Sequence, residues 1–123
     1  MLFDSLDFKA MEASLGALNT KQQVITQNLA NIDTPGYKTQ EVSFQDLLNE
    51  ELDKDIRNKN DYAFETKIIQ TEDTYFNPDG NNVDADKESL ELYSTYLQSA
   101  YIIQKMNSTI GNYQYVLTNA NFR

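Results

Sequence analysis

The stretch that decides the fold is NLANIDTPGY, residues 28–37. Apolar residues recur at steps of three and four positions before it, and this repeat stops at Pro35-Gly36. Proline disfavours the α conformation of the preceding residue, so we expect the helix to end near Asp33. Pro35 and Gly36 suit the two central positions of a type II turn, since glycine accepts the positive φ required. The stretch therefore predicts a long N-terminal helix that ends in a sharp turn.

The repeat before this turn has the period of about 3.5 residues that is typical of helices paired with other helices. Asp4 or Ser5 can cap the start of the helix, which we place at about 5–32. Gln22 fills the one position of the repeat where an apolar residue is missing. The residues of the predicted seam are Phe8, Met11, Leu15, Leu18, Ile25, Leu29 and Ile32.

A second helical repeat occupies the C-terminal part of the chain, and we place this helix at about 85–119. Asp84, Asp86 and Glu88 lie at its start, where the helix dipole favours negative charge. One step is shortened within 100–106, which locally overwinds a supercoil. The residues expected to pair with the first helix are Leu90, Tyr93, Leu97, Ala100, Ile103, Met106, Ile110, Tyr113 and Leu117.

These patterns predict a mainly α fold in which long N- and C-terminal helices pair as a coiled-coil-like hairpin. We assign 1–33 to the N-terminal helix, 34–83 to a turn, a short helix and an extended insert, and 84–123 to the C-terminal helix. The two terminal helices form one assembly domain. Ser43 is the expected cap of the short helix. The partly irregular insert at 53–82 contains β-branched and aromatic residues that suit one or two short strands.

Composition excludes several classes of function. The 123 residues carry a formal charge of −9, so we expect no nucleic-acid partner. Histidine and cysteine are both absent, which removes the commonest general base and zinc ligands. We therefore predict no catalytic residues, no cofactor and no metal. Asp79 opens an acidic stretch, but Val83 and Asp84 stand where a calcium loop requires an oxygen ligand and glycine.

The chain also lacks the signals of a membrane protein. No run approaches the roughly 18 apolar residues of a membrane span, so we expect no direct span. The N-terminus is acidic where a cleaved secretion signal is basic. We expect the protein either to stay in the cytoplasm or to leave it by a route without a cleaved signal.

Both helices are unusually poor in charge. Residues 13–32 contain only Lys21, and residues 92–122 contain only Lys105. A buried unpaired charge is costly, so uncharged outer faces suit contacts with neighbouring subunits. The alternative is a monomeric bundle that happens to be charge-poor.

Two blocks of sequence resemble a known family. NLANIDTPGYKTQ, residues 28–40, resembles the signature of the bacterial flagellar rod and hook proteins, roughly N-x-A-N-x-x-T-P-G-Y-K. DGNNVDADKE, residues 79–88, resembles the lead into the C-terminal helix of a proximal rod protein of that family. The residues that match the signature are Asn28, Ala30, Asn31, Thr34, Pro35, Gly36, Tyr37 and Lys38.

The resemblance implies a structural subunit of the proximal rod in the flagellar basal body, within the periplasmic space of the cell envelope. Such subunits are exported by the flagellar type III system without a cleaved signal and fold on helical assembly into the drive shaft. The implied partners are copies of this protein, the second proximal rod protein, the rod-base adaptor at the MS ring and export gate, and the export apparatus. Phe44 and Leu48 fit the family's export-gate motif.

The sequence leaves three other interpretations open. The second proximal rod protein of the same family has a similar length and shares the Thr-Pro-Gly-Tyr signature. A cytoplasmic coiled-coil adaptor or chaperone would also have two long paired helices. An acid-dependent hydrolase is a third hypothesis, which requires a pocket around paired carboxylates such as Glu50 and Glu51.

Overall fold

The computed structural model describes residues 5–43, 66–71 and 77–120. The elements follow the order α1 (Leu6–Ala30), β1 (Gln40–Ser43), β2 (Lys67–Gln70) and α2 (Ala85–Asn119). The predicted fold class is confirmed, because the two long terminal helices pack against each other and the middle contains a short sheet. Neither helix in the described ranges has the length and apolarity to cross a bilayer.

The N-terminal helix begins as predicted but ends earlier. The Ser5 hydroxyl caps α1 by accepting a hydrogen bond of 3.3 Å from the backbone N–H three residues later. The helix ends at Ala30, three residues before the predicted Asp33. The backbone N–H and the side-chain amide of Asn31 both donate to the carbonyl of Gln27, at 3.1 and 2.8 Å. The Asn31 side chain therefore adds a second donor to a carbonyl of the last helical turn, and the helix ends before the proline is reached.

The helices run antiparallel, so the end of α1 lies beside the start of α2. Near that end, Lys21 and Glu91 form an ion pair of 2.7 Å across the two helices. The apolar core formed by the described residues is small, which makes polar contacts important for the fold. The buried apolar side chains of the described residues are Phe8, Ala17, Val24, Ile25 and Val83.

In α1, Phe8 and Ile25 of the predicted seam are buried and the other residues of that seam are half-buried. The predicted seam of α2 needs correction. The inner stripe of α2 runs through Glu88, Leu92, Thr95, Ser99, Ile102, Met106 and Thr109, which are buried or half-buried. In the single chain, 47–70% exposure is found at Leu90, Tyr93, Leu97, Ile103, Tyr113 and Leu117.

The offset between the two stripes has a chemical cause. Glu88 and Thr95 are buried in α2, at 4% and 0% exposure, although neither is apolar. The Thr95 hydroxyl donates to the Glu91 carbonyl at 2.7 Å, so its burial leaves no unpaired donor. Apolar periodicity in the sequence instead places polar residues such as Glu88 and Thr95 on the outer face of α2. Met106 is half-buried and belongs to both stripes, and Ala100 is exposed while Ile110 is half-buried.

The two strands form one antiparallel pair, with Gln40 opposite Gln70 and Ser43 opposite Lys67. β2 lies inside the stretch predicted to form strands, whereas β1 was not predicted. Ser43 is the last residue of β1. The short helix expected after it, including Phe44 and Leu48, lies outside the described residues, as do Glu50 and Glu51.

Candidate functional site

The signature turn has the predicted geometry. Gly36 has a φ of +70°, and the Tyr37 N–H donates to the Thr34 carbonyl at 3.2 Å, as in a type II turn. A second turn lies directly against it: the Gly36 N–H donates to the Asp79 carbonyl at 3.0 Å. A Cβ on Gly80, whose φ is +84°, would lie 3.7 Å from the Gly36 Cα. The two sequence blocks that resemble the family are thus in contact.

Asn81, from the second block, holds the end of α1. Its side-chain amide donates to the carbonyls of Asn31, Ile32 and Thr34 at 2.9, 2.9 and 2.8 Å. The two hydrogens of the Asn81 amide are therefore shared among three backbone carbonyl oxygens that follow α1 and have no partner within the helix. Its Oδ1 accepts from the Val83 N–H at 2.8 Å, and the side chain is fully buried. The Asn81 side chain thus makes the hydrogen bonds that water would otherwise make to these carbonyls. In doing so it defines the path of the chain after α1.

Asn82 fastens the next part of the loop. Its Oδ1 accepts from both the backbone N–H and the hydroxyl of Thr39, at 2.6 and 2.8 Å. Its Nδ2 donates to the Thr71 carbonyl at 3.0 Å, and its backbone N–H donates to the Tyr37 carbonyl at 3.3 Å. The residue therefore joins the chain before β1, the end of β2 and the approach to α2.

Asn28 completes the cluster from the α1 side. Its Nδ2 donates to the Gln40 carbonyl at 2.8 Å and to the Glu88 carboxylate at 3.0 Å. Its Oδ1 accepts from the Gln40 N–H at 3.0 Å and from the Tyr37 hydroxyl at 3.2 Å. Two donors and two acceptors account for the full capacity of an amide side chain. Asn28 has 0% exposure, so none of this bonding is shared with solvent.

The charges around Asn28 respond to this burial. Burial raises the pKa of the Glu88 carboxyl, and the hydrogen bond from Asn28 and the positive charge of Lys87 partly oppose the rise. Burial also raises the pKa of the Tyr37 hydroxyl, with the nearby Glu88 charge acting in the same direction. At the rim, the hydrogen bond of 2.9 Å to Glu41 raises the pKa of Lys87.

We call this cluster the polar clamp, and define it as Asn28, Tyr37, Thr39, Asn81, Asn82 and Glu88. In the described part of the chain, every buried side-chain nitrogen and oxygen has a hydrogen-bond partner. The donors and acceptors of the clamp are used on each other and on the backbone. That arrangement is a structural joint between the end of α1 and the start of α2.

The clamp contains part of the predicted signature. Asn28, Asn31 and Tyr37 bond within or beside it, and the Lys38 ammonium donates to the Gly80 carbonyl at 2.7 Å. Ala30 and Pro35 are exposed at its edge.

Sequence reasoning missed the roles of the other clamp residues, Thr39, Asn81, Asn82 and Glu88. A usable signal was the presence of paired asparagines in both family-like blocks. Of the acids in the second block, Asp79 accepts from the Asn81 N–H at 3.1 Å, and Asp84 caps α2 through bonds of 3.0 and 3.1 Å.

Comparison with known proteins places this geometry in context. The family profile described as "Flagella basal body rod protein" matches residues 11–38, which contain most of α1 and the signature turn. The flagellar basal body rod protein FlgB of Bacillus subtilis (strain 168) is 38% identical over 116 residues, covering 88% of this chain and 90% of that protein.

More distant relatives bear the same name. FlgB of Buchnera aphidicola is 27% identical, with 89% of this chain and 92% of that protein aligned. FlgB of Borreliella burgdorferi is 32% identical, with 68% and 73% aligned. Identity and coverage of this extent, together with the two matching blocks joined in the clamp, show that the chain belongs to the FlgB family of flagellar basal body rod proteins.

Proposed function

We propose that this protein is a structural, non-enzymatic subunit of the flagellar basal-body rod, in its proximal part. The family relationship supports the rod role. The observation that carries the assembly role is the large apolar surface of α2 in the single chain. The large exposed apolar side chains of α2 are Leu90, Tyr93, Tyr96, Leu97, Tyr101, Ile103, Tyr113, Tyr115, Val116 and Leu117.

A surface of this kind suits a protein that is covered by neighbours. Isolated soluble domains rarely expose extended apolar patches, and such patches usually mark interaction sites. Tyrosine is favoured at interfaces because its ring is apolar and its tip is polar. The same helix has only Lys105 as a charged residue between 92 and 122, so covering it desolvates little charge.

The clamp supports the same role from the inside. It sets the register of α1 against α2 through hydrogen bonds that have specific partners, so each subunit presents its apolar surface in one defined orientation. The small apolar core implies a marginal single chain that gains stability when neighbours cover α2. We propose that folding is completed on helical assembly into the drive shaft.

The partners and route follow the family expectation. We propose contacts with copies of this chain, with the second proximal rod protein and with the rod-base adaptor at the MS ring and export gate. We propose export by the flagellar type III apparatus without a cleaved signal, with Phe44 and Leu48 as the export-gate motif. The location is then the basal body, where the rod crosses the periplasmic space of the cell envelope.

The test is a substitution on the exposed surface of α2. Leu97 is 49% exposed in the single chain, so Leu97→Asp leaves the helix pair intact but places a charge where we expect a neighbour. In the native bacterium we expect loss of the variant from purified basal bodies and loss of swimming. Leu97→Met, which keeps an apolar side chain, is expected to assemble normally. Wild-type incorporation of the aspartate variant would refute the proposal.

A further inference from the structure

One side of the helix pair contains an open groove of about 830 Å³ between α1 and α2. Apolar and small residues dominate its lining, and Glu12 is the charged residue among the lining side chains. The groove is not closed by any described part of the chain. The lining residues that matter here are Leu15, Gly16, Tyr96, Ser99, Ala100 and Ile103.

Gly16 leaves open space in the lining of the groove. A Cβ built on Gly16 would meet no atom within 4 Å, so the position opens into empty space. Glycine within a helix costs about 1 kcal/mol relative to alanine. Small residues allow two helix backbones to approach closely, which offsets that cost once a partner is seated.

The far end of α2 has the complementary properties. α2 has 35 residues against 25 in α1, and every residue from 111 to 119 is exposed. Tyr113, Val116 and Leu117 place apolar side chains three and four positions apart, with 47, 62 and 68% exposure. This segment, which we call the α2 end, contains no charged residue.

We propose that the groove of one copy of this chain receives the α2 end of a second copy. The proposal rests on the proposed function, in which copies of the chain assemble. On α1 the groove extends from Glu12 to Gln22, a rise of about 15 Å at 1.5 Å per residue. Residues 111–119 span about 12 Å by the same rule, so the segment fits within the length of the groove.

Charge favours this occupant. The α2 end is uncharged, so its entry brings no ion into the groove, whose lining includes the single carboxylate of Glu12. Groove and α2 end are different surfaces of the same chain, so the contact is heterologous. Each copy has one groove and one α2 end, and heterologous contacts between such surfaces build rings or open helices. A helical stack of subunits is the arrangement that a rod requires.

Cysteine cross-linking tests the contact directly, because the native chain contains no cysteine. Asn19→Cys puts a thiol in the groove and Leu117→Cys puts one on the α2 end. When the two full-length variants are mixed and oxidised, we expect a mixed disulfide at least ten times more abundant than either homodimer. Asp33→Cys, exposed outside the groove, is the control and should stay at background with Leu117→Cys. Equal cross-linking to the control, or Leu117→Cys homodimers as the main product, would overturn the proposal.

A groove-filling substitution separates this contact from assembly in general. Gly16→Trp fits the single chain because the position is open, yet it occupies the groove; Gly16→Ala is the matched control. We expect the tryptophan to lower the mixed disulfide at least tenfold and to prevent incorporation into basal bodies, while alanine changes neither.

Comparing the assembly of Gly16→Trp with that of Leu97→Asp distinguishes the groove contact from the proposed rod role. If Gly16→Trp assembles normally while Leu97→Asp does not, the rod role stands and the groove contact is wrong. Normal assembly of both variants would overturn both proposals. Equal helicity of Gly16→Trp and Gly16→Ala, measured by circular dichroism, shows that the substitution keeps the fold. The cross-linking of Asn19→Cys to Leu117→Cys does not depend on this substitution.

Discussion

The two ends of the helix pair are built in opposite ways. At the clamp end, where α1 stops and α2 begins, the fully buried side chains are polar, and Asn28 and Asn81 have 0% exposure. At the α2 end, Tyr115 and Leu117 are apolar and 70 and 68% exposed. Hydrogen bonds with specific partners therefore define the single chain, and apolar area is kept for a neighbour. The difference teaches that this protein separates the task of fixing its own geometry from the task of binding.

The largest expected effect comes from breaking the clamp at Asn28. Asn28→Ala removes the hydrogen-bond partner of the Gln40 backbone N–H and carbonyl, of the Tyr37 hydroxyl and of the Glu88 carboxylate, which lie in a buried or half-buried site. Each unsatisfied buried group costs about 1–3 kcal/mol, so we expect a loss of at least about 3 kcal/mol in the free energy of unfolding. Urea denaturation followed by circular dichroism measures it. Asn112→Ala, on the exposed face of α2, should change stability by no more than about 0.5 kcal/mol. Equal effects of the two variants would contradict the comparison.

Glycine substitutions should have opposite signs at the two ends. Gly36→Ala forces a side chain into a positive φ and should destabilise the chain by about 1–2 kcal/mol. Gly111→Ala lies in α2 with open space around it and should stabilise by about 0.5–1 kcal/mol, because alanine favours the helix. Thermal unfolding of both variants measures the shifts. A destabilising Gly111→Ala would mean that the α2 end needs glycine within the single chain.

The smallest effect expected is the pH dependence contributed by Glu88. Burial raises its pKa above the ordinary value of 4.5, so the folded chain favours the protonated carboxyl. This contribution to stability is complete below pH 4.5 and is lost as pH rises through the folded pKa.

The comparison variant is Glu88→Gln, which stays neutral. Its stability relative to wild type should increase as pH rises from 4.5 towards 7, in unfolding curves at several pH values. Parallel curves for the two proteins would show that Glu88 does not contribute this dependence.

Patterns local in sequence predicted the local structure well. The spacing of apolar residues predicted α1 and α2, Ser5 was one of the two candidates for the first cap, and Pro35-Gly36 predicted the turn. Prediction failed where a residue's role depends on a distant partner. The end of α1 depends on Asn31 and on Asn81, fifty positions later, and β1 exists because β2 pairs with it.

The inner face of α2 was missed for a related reason. Apolar periodicity assumes that buried residues are apolar, and Glu88 and Thr95 violate that assumption through hydrogen bonds that only the folded chain provides. The true stripe is offset by one or two positions. The predicted seam residues then lie largely on the exposed side, where they form the apolar surface proposed to contact neighbours.

Residue order alone was sufficient for the helices, the turn and the family resemblance, because each depends on interactions within a few positions or on a short motif. The tertiary structure decided the polar clamp, the register of the helix pair and which face of α2 is exposed to solvent in the single chain. Those features depend on contacts between residues such as Asn28 and Glu88, which are sixty positions apart. The pairing of one buried donor with one distant acceptor produces no periodic pattern in the sequence.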